Sequence, residues 1–178
     1  MKFEKLQQSQ YKDFAEELYI QSFPQDERRD FPIIYKLIGK EKFDFFVITD
    51  EKENNKPVGI ISLWDFSYFS YIEHFAVKKN LQNKGYGSKI LDIIKGKVTK
   101  PIVIEVEPSN SLEAIRRINF YKRKEFTIVD EKYIQPSYSP ERNSIPMQLM
   151  ITTTNDSLQQ FSIKEIISTL YHNVYKII

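Results

Sequence analysis

Cysteine is absent from this 178-residue chain. That excludes disulfides, a thiolate nucleophile and cysteine-ligated zinc together, and it suits a reducing compartment. Histidine occurs only at His74 and His172, too few for a histidine-rich metal centre, so no metal is expected. Neither sign of charge is in excess: 26 Lys+Arg stand against 24 Asp+Glu, a net of +2, with no single-sign block. A nucleic-acid partner is therefore not expected. Long apolar runs are missing too. None approaches the roughly 18–20 residues that span a bilayer, and the opening MKFEKLQQSQYKDF lacks the apolar core of a signal peptide. These absences point to a soluble, cytoplasmic protein with no membrane partner. What is present is a globular composition, 41% hydrophobic and 14% aromatic, too rich for disorder.

The length suits one compact domain able to bury roughly 70% of its unfolded surface. Phe14, Leu18 and Phe23 recur at helical spacing over Tyr11 to Phe23, and Pro24 ends that helix. A second short helix is expected from Phe31 to Gly39, with Pro32 in its first turn. Phe43 to Thr49 and Val58 to Trp64 are aromatic and β-branched, and the polar turn EKENNKP between them makes a hairpin. Asp65 to Ser70 is open between an edge strand and a loop. Tyr71 to Val77 is a strand whose alternation places Glu73 on one face and His74 on the other.

A helix is expected from about Gly85 to Val98, its apolar stripe formed by Ile90, Leu91, Ile94 and Val98. IVIEVE after Pro101 is a further strand. Asn110 is the expected N-cap of the next helix, with Glu113 in the capping-box position, and that helix runs to about Lys122. Phe126 to Tyr133 and Ser144 to Thr152 are two closing strands. Ser162 with Glu165 opens a C-terminal helix bearing Ile163, Ile166, Ile167 and Leu170. The order ααββ(β)βαβαββα is an α+β or α/β sheet with helices on its faces.

Chemistry points to the strand–loop–helix from Tyr71 to Ser88. Glycine lets backbone approach a ligand closely, and the first helical amides lack intrahelical acceptors, which together suit a phosphate. A Gly-x-Gly can equally serve only a tight turn. The P-loop pattern GxxxxGK[ST] and the dinucleotide pattern GxGxxG are both missing. What stands here is Gln82-Asn83-Lys84-Gly85-Tyr86-Gly87, a Q-x-x-G-x-G. It resembles the acyl-CoA loop of the GCN5-related N-acetyltransferase (GNAT) superfamily. IEHFAV resembles that family's central strand, IVIEVEPSN the next strand, and NFYKRKEF its late helix, so the resemblance spans about residues 43–150.

The resemblance implies a mixed, mostly antiparallel sheet splayed at its middle strands, with helices on both faces. It places this GNAT domain at residues 1–155, with residues 156–178 as a helical extension packed on it. Acetyl-CoA would be the co-substrate. Its pantetheine arm would pair with the main chain of Phe75, Ala76 and Val77, and its pyrophosphate would lie on the loop formed by Gln82, Asn83, Lys84, Gly85, Tyr86, Gly87 and Ser88. Tyr121 matches the family tyrosine that protonates the departing thiolate; as an ordinary phenol it is protonated at neutral pH. Glu73 is the expected base, with Glu105 and Glu107 as rivals and His74 as a structural histidine.

Two features depart from the family pattern. Glu125 replaces a common glycine, and the interval from Asn110 to Tyr121 is about one helical turn longer than in many relatives. Asn110 is therefore given no cofactor role. Arg116, Arg117, Lys122, Arg123 and Lys124 read as a solvated face. The acceptor pocket is expected from FPQDERRDF and YIQPSYSP, with Glu27 for an ammonium, Arg28 or Arg29 for a carboxylate, and Trp64, Phe66, Tyr133, Gln135 and Tyr138 as walls. Each of these has an equally good bland reading as core or solvated surface. The function implied is direct acetyl transfer to a primary amine of a small molecule or peptide, in a monomer or homodimer. The rival readings are an acyl-CoA-binding module without turnover and an unrelated α+β interaction domain.

Overall fold

The computed structural model describes residues 1–39, 42–152 and 162–176. Its sheet begins with β1 (Lys2–Lys5), a strand too short and too polar to show in the sequence pattern. It pairs at the sheet edge with β2 (Phe43–Asp50). Between them lie α1 (Lys12–Ser22) and α2 (Phe31–Leu37), joined by a 3₁₀ turn at Gln25–Glu27. β3 (Lys56–Asp65) and β4 (Ser70–Val77) follow as an antiparallel pair. The segment between them is a turn, closed by Phe66 N–H donating to the Phe69 carbonyl at 3.0 Å, with both phenylalanines buried. That resolves the open choice in favour of a loop at residues 66–69, while Asp65 and Ser70 pair as the ends of the two strands.

α3 (Tyr86–Lys97), β5 (Ile102–Val106) and α4 (Leu112–Arg123) come next. α4 is capped by Ser111, whose hydroxyl accepts from the Ala114 amide at 3.0 Å. This corrects the expectation at Asn110, which lies one residue outside the cap. The two closing strands are each broken. β6 (Phe126–Asp130) stops where the Asp130 carboxylate accepts from the Lys132 amide at 2.8 Å, a side-chain turn that competes with the ladder. Beyond it β7 (Ile134–Gln135) and β8 (Ile145–Pro146) form a separate small hairpin, and β9 (Gln148–Thr152) returns to the main sheet. α5 (Ile163–Asn173) carries the anticipated capping box of Ser162 and Glu165. The expected division at 155/156 falls outside the described residues.

The main sheet has the order β1-β2-β3-β4-β5-β9-β6, and its β4–β5 pair alone is parallel. Apolar residues of α1, α2 and α5 cover one face and those of α3 and α4 the other. The chain is thus an α+β protein with helices on both faces of a mostly antiparallel sheet. Among the described residues no helix is long and apolar enough to cross a membrane.

Two irregularities in β4 shape everything near it. Its pairing with β5 ends after Ile72↔Ile104, although β4 continues to Val77 and β5 to Val106. The sheet therefore opens between them. On its other side β4 pairs Ile72 with Leu63 and His74 with Ser62, so Glu73 is an extra residue, a β-bulge. The bulge turns Glu73 and His74 onto the same face, toward α1 and α2, which corrects the strict alternation read from sequence.

The cap correction is directly measurable. Ser111→Ala should cost about 1 kcal/mol in urea unfolding, the usual value of a lost N-cap, whereas Asn110→Ala should leave the midpoint unchanged.

Candidate active site

A cleft of about 1520 Å³ runs through the sheet opening, bounded by β4, β5, the start of α3, α4 and the α1–α2 loop. Its lining carries both signs of charge, Lys78, Lys79, Arg116, Arg117, Arg123 and Lys124 beside Glu17, Glu27, Glu105, Glu107 and Glu113, with Arg117 paired to Glu107.

Gly85 is the N-cap of α3 in the left-handed region, with φ of 82°, a conformation that favours glycine. No side chain caps this helix, so its leading amides face outward without an intrahelical partner. A Cβ added to Gly87 would lie 3.6 Å from Phe120 and 3.8 Å from Phe75. The missing side chain keeps the passage between α3, β4 and α4 clear. Phe75, Ala76, Val77, Gln82, Asn83, Gly85, Gly87 and Ser88 all line the cleft, as the sequence motif anticipates. Gln82 is bound inward, its amide donating to the Val77 carbonyl at 3.1 Å. Lys84 is exposed and outside the cleft wall, and the Tyr86 hydroxyl donates to Glu53 at 3.0 Å. These last two residues can contribute through main chain alone. The open strand, clear passage and uncapped helix start together fit a thioester cofactor with an extended arm and a pyrophosphate.

Tyr121 reaches the cleft from α4, its ring held by Phe120 at 5.1 Å and Phe126 at 5.4 Å. Burial raises its phenol to about 12, so the proton is retained at neutral pH. Its hydroxyl makes no hydrogen bond to the described residues.

The carboxylates diverge. Glu73 has no exposed side-chain surface; it accepts from Trp64 Nε1 at 2.8 Å and from Arg29 Nε at 3.1 Å. Burial, the largest influence, would raise its pKa, but the Arg29 guanidinium acting with His74 and with hydrogen bonds from Trp64 and Tyr138 holds it below the usual carboxylate range. Such a group is an anchor for Arg29, and the geometry does not suit the expected role of proton acceptor. Glu105, the first residue of β5 beyond the last rung shared with β4, lies at the apex of the opening. Tyr133 donates to its Oε1 at 2.5 Å and Tyr175 to its Oε2 at 2.7 Å. Burial raises it to about 7 against the lowering effect of those phenols. Glu27 is also raised to about 7, by burial and then by Glu107 across the cleft. Glu107 is itself paired with Arg117.

His74 is buried, as expected of a structural histidine. Its Nε2 lies 3.0 Å from the Glu27 carbonyl, which can only accept, so Nε2 carries the proton and Nδ1 accepts from Ser62 at 3.3 Å. Burial lowers its pKa, consistent with a neutral ring.

Of the six proposed acceptor residues, Glu27 and Gln135 line the cleft. Trp64 and Tyr133 are buried, bonded to Glu73 and Glu105 respectively. Arg28 donates to the Phe23 carbonyl at 3.1 Å, and Tyr138 packs over the Arg29 guanidinium at 4.6 Å. Arg29 itself is buried and paired, so it is not available to a substrate carboxylate. The two expected acceptor segments do meet, Gln135 donating to the Asp26 carbonyl at 3.3 Å, and Asn143, just beyond the second segment, binds the Asp26 carboxylate at 3.0 and 3.1 Å. Arg29 as the central anchor and Tyr175 as a partner of Glu105 escaped the sequence reading. The available signal was a glutamate inside the apolar strand IVIEV, since a carboxylate buried there needs donors from elsewhere.

A splayed sheet with an uncapped glycine-bearing helix start beside the opening defines an acyl-CoA-dependent acyltransferase architecture. The comparisons agree. The acetyltransferase (GNAT) domain family matches residues 41–128. A GNAT-family protein from Bacteroides thetaiotaomicron shares 34% identity over the whole of both chains, with a TM-score of 0.88. An aminoglycoside 6'-N-acetyltransferase solved with coenzyme A shares the fold at 12% identity, with a TM-score of 0.61 over 86% of this chain and 97% of that one. The ribosomal-protein-S18-alanine N-acetyltransferase of Escherichia coli does so at 14% identity, with a TM-score of 0.56 over 88% and 97%. No curated protein matches the chain. The chain belongs to the GNAT acetyltransferase family and is an N-acetyltransferase.

Gly87→Ala adds only a Cβ at ordinary contact distance, whereas Gly87→Asp adds a carboxylate to the same passage. Calorimetry should find coenzyme A bound at least tenfold more weakly by Gly87→Asp, or about 1.4 kcal/mol, and nearly normally by Gly87→Ala. Equal affinity of the folded Asp variant would move the cofactor elsewhere.

Proposed function

We propose that the protein transfers an acetyl group from acetyl-CoA directly to a primary amine of a small molecule or peptide. One observation carries this reading. A carboxyl group that ionises near neutrality, Glu105, and a phenol that keeps its proton, Tyr121, line the same opening between β4 and β5. A pair with proton affinities set this far apart suits one group taking a proton and the other giving one.

Acetyl-CoA, when bound, supplies the thioester that the amine attacks and the sulfur that leaves. The chain would hold it with the amides at the start of α3 and the free edge of β4 at Phe75 to Val77. Glu105 would accept the proton released by the amine, and Tyr121 would deliver one to the departing sulfur. Without cysteine, no thiol can carry the acyl group between them. Glu73 has the supporting task of fixing Arg29.

A panel of primary amines with detection of free thiol tests the activity. Tyr121→Phe keeps the packing and removes the proton, so kcat should fall about 10²–10⁴-fold with coenzyme A affinity unchanged. Full kcat in Tyr121→Phe would remove the acid role. Glu105→Gln should abolish the rising limb of kcat/KM near pH 7. Glu73→Gln should keep that limb while losing about 3 kcal/mol of folding stability, because Arg29 is left buried opposite an uncharged partner.

A further inference from the structure

We propose that the C-terminal tail beyond α5 is a working part of the acceptor site, with Tyr175 a positioning residue that aims Glu105 and sets its proton affinity. The inference rests on Glu105 being the base.

The tail is not a loose end. After α5 the amides of Val174 and Tyr175 both donate to the Leu170 carbonyl, at 2.8 and 3.2 Å, which turns the chain inward. Val174 is fully buried and Tyr175 is 7% exposed. From there the tail touches both carboxylate networks. The Val174 carbonyl accepts from Arg29 at 2.6 Å, completing the anchor that also holds Glu73. The Tyr175 hydroxyl donates to Glu105 Oε2 at 2.7 Å, lies 3.3 Å from the Tyr71 hydroxyl, and its ring packs on Tyr138 at 5.1 Å.

The kind of partner matters as much as its presence. A guanidinium keeps a carboxylate ionised and unreactive, as Glu73 shows. A phenol donates one hydrogen bond without a positive charge, so it orients the oxygens and partly offsets burial while leaving the carboxylate basic. The charged and titratable groups facing Glu105 are Tyr71 and Glu73 from β4, Tyr133 after β6, Tyr138 from the β7–β8 loop, Tyr171 from α5, and Tyr175. Tyr133 holds Oε1 and Tyr175 holds Oε2, with Tyr71 as a third phenol bonded to the carboxylate, so loss of the Tyr175 hydroxyl removes one of three buried donors.

Tyr175→Phe removes only this hydroxyl. Tyr171→Phe is the control, because its hydroxyl donates to the Ile134 carbonyl at 2.7 Å and not to Glu105. Glu105 is followed in the free protein by carboxyl ¹³C resonance against pH, assigned by its loss in Glu105→Gln, and in turnover by the pH profile of kcat/KM. Tyr175→Phe should raise the midpoint of the titration by about one pH unit, the size of one charge-assisted hydrogen bond. The rising kinetic limb should move with it, so the deficit is largest below neutrality and recovers at high pH. Tyr171→Phe should move neither. An unchanged titration in Tyr175→Phe, with the kinetic limb also unmoved whatever the rate loss, overturns the proposal and leaves Glu105 as the base. A titration that moves while the kinetic limb stays fixed overturns Glu105 as the base, and the proposal with it.

Discussion

The arrangement depends on one extra residue in β4. Because Glu73 is bulged opposite Ser62, two adjacent polar side chains leave the strand on the same face. Each then needs a partner in a dry environment, since an unpaired buried polar group costs more than a satisfied one returns. Glu73 is met by Arg29 and Trp64, and His74 by Ser62 and the Glu27 carbonyl. Both Arg29 and Glu27 belong to the stretch just after α1. The bulge therefore pins the α1–α2 loop against the sheet beside the point where β4 and β5 part. Regular alternation would have sent His74 into the apolar face under α3 and left that loop without its second tie.

Once the loop is pinned, the electrostatics of the opening follow from which donor reaches which carboxylate. Glu73 and Glu105 lie on neighbouring strands, both removed from bulk water, and burial pushes both toward the neutral acid. Arg29, together with His74 and the hydrogen bonds of Trp64 and Tyr138, reverses that push at Glu73. At Glu105 only phenols answer it, and the group ends near neutrality. Neither value is a property of glutamate in a strand. Each is set by side chains arriving from distant parts of the chain, and exchanging the two sets of partners would exchange the roles.

That distance explains what the sequence revealed. The helix at Gly85, the open strand at Phe75 to Val77, and Tyr121 on its apolar stripe are local patterns, legible from spacing and a contiguous motif. The capping box at Ser162 was legible for the same reason. The cap of α4 slipped by one residue because Asn110 and Ser111 are both good caps and only the backbone chooses between them. β1 was hidden because an edge strand with a half-polar face needs its neighbour to define it. The bulge was hidden because a period-2 reading assumes regular pairing. Tyr133 and Tyr175 are 42 residues apart, and nothing local in either marks a shared carboxylate.

The same division separates the two halves of the cleft. The segment that matches the GNAT domain family, residues 41–128, holds β4, the α3 loop and Tyr121, the cofactor half of the proposed reading. Glu27, Arg29, Tyr133, Gln135 and Tyr175 lie outside it, and on that reading they would build or brace the acceptor half. Thioester chemistry asks for the same strand opening and the same anion cradle whatever amine is used, so that half can stay uniform across a family. An amine is recognised through the shape and charge of the remaining walls, and here those walls come from segments contributed by both ends of the chain. On the proposed reading, Tyr175 and the Glu105 it holds thus belong to the part of the protein in which specificity is free to vary.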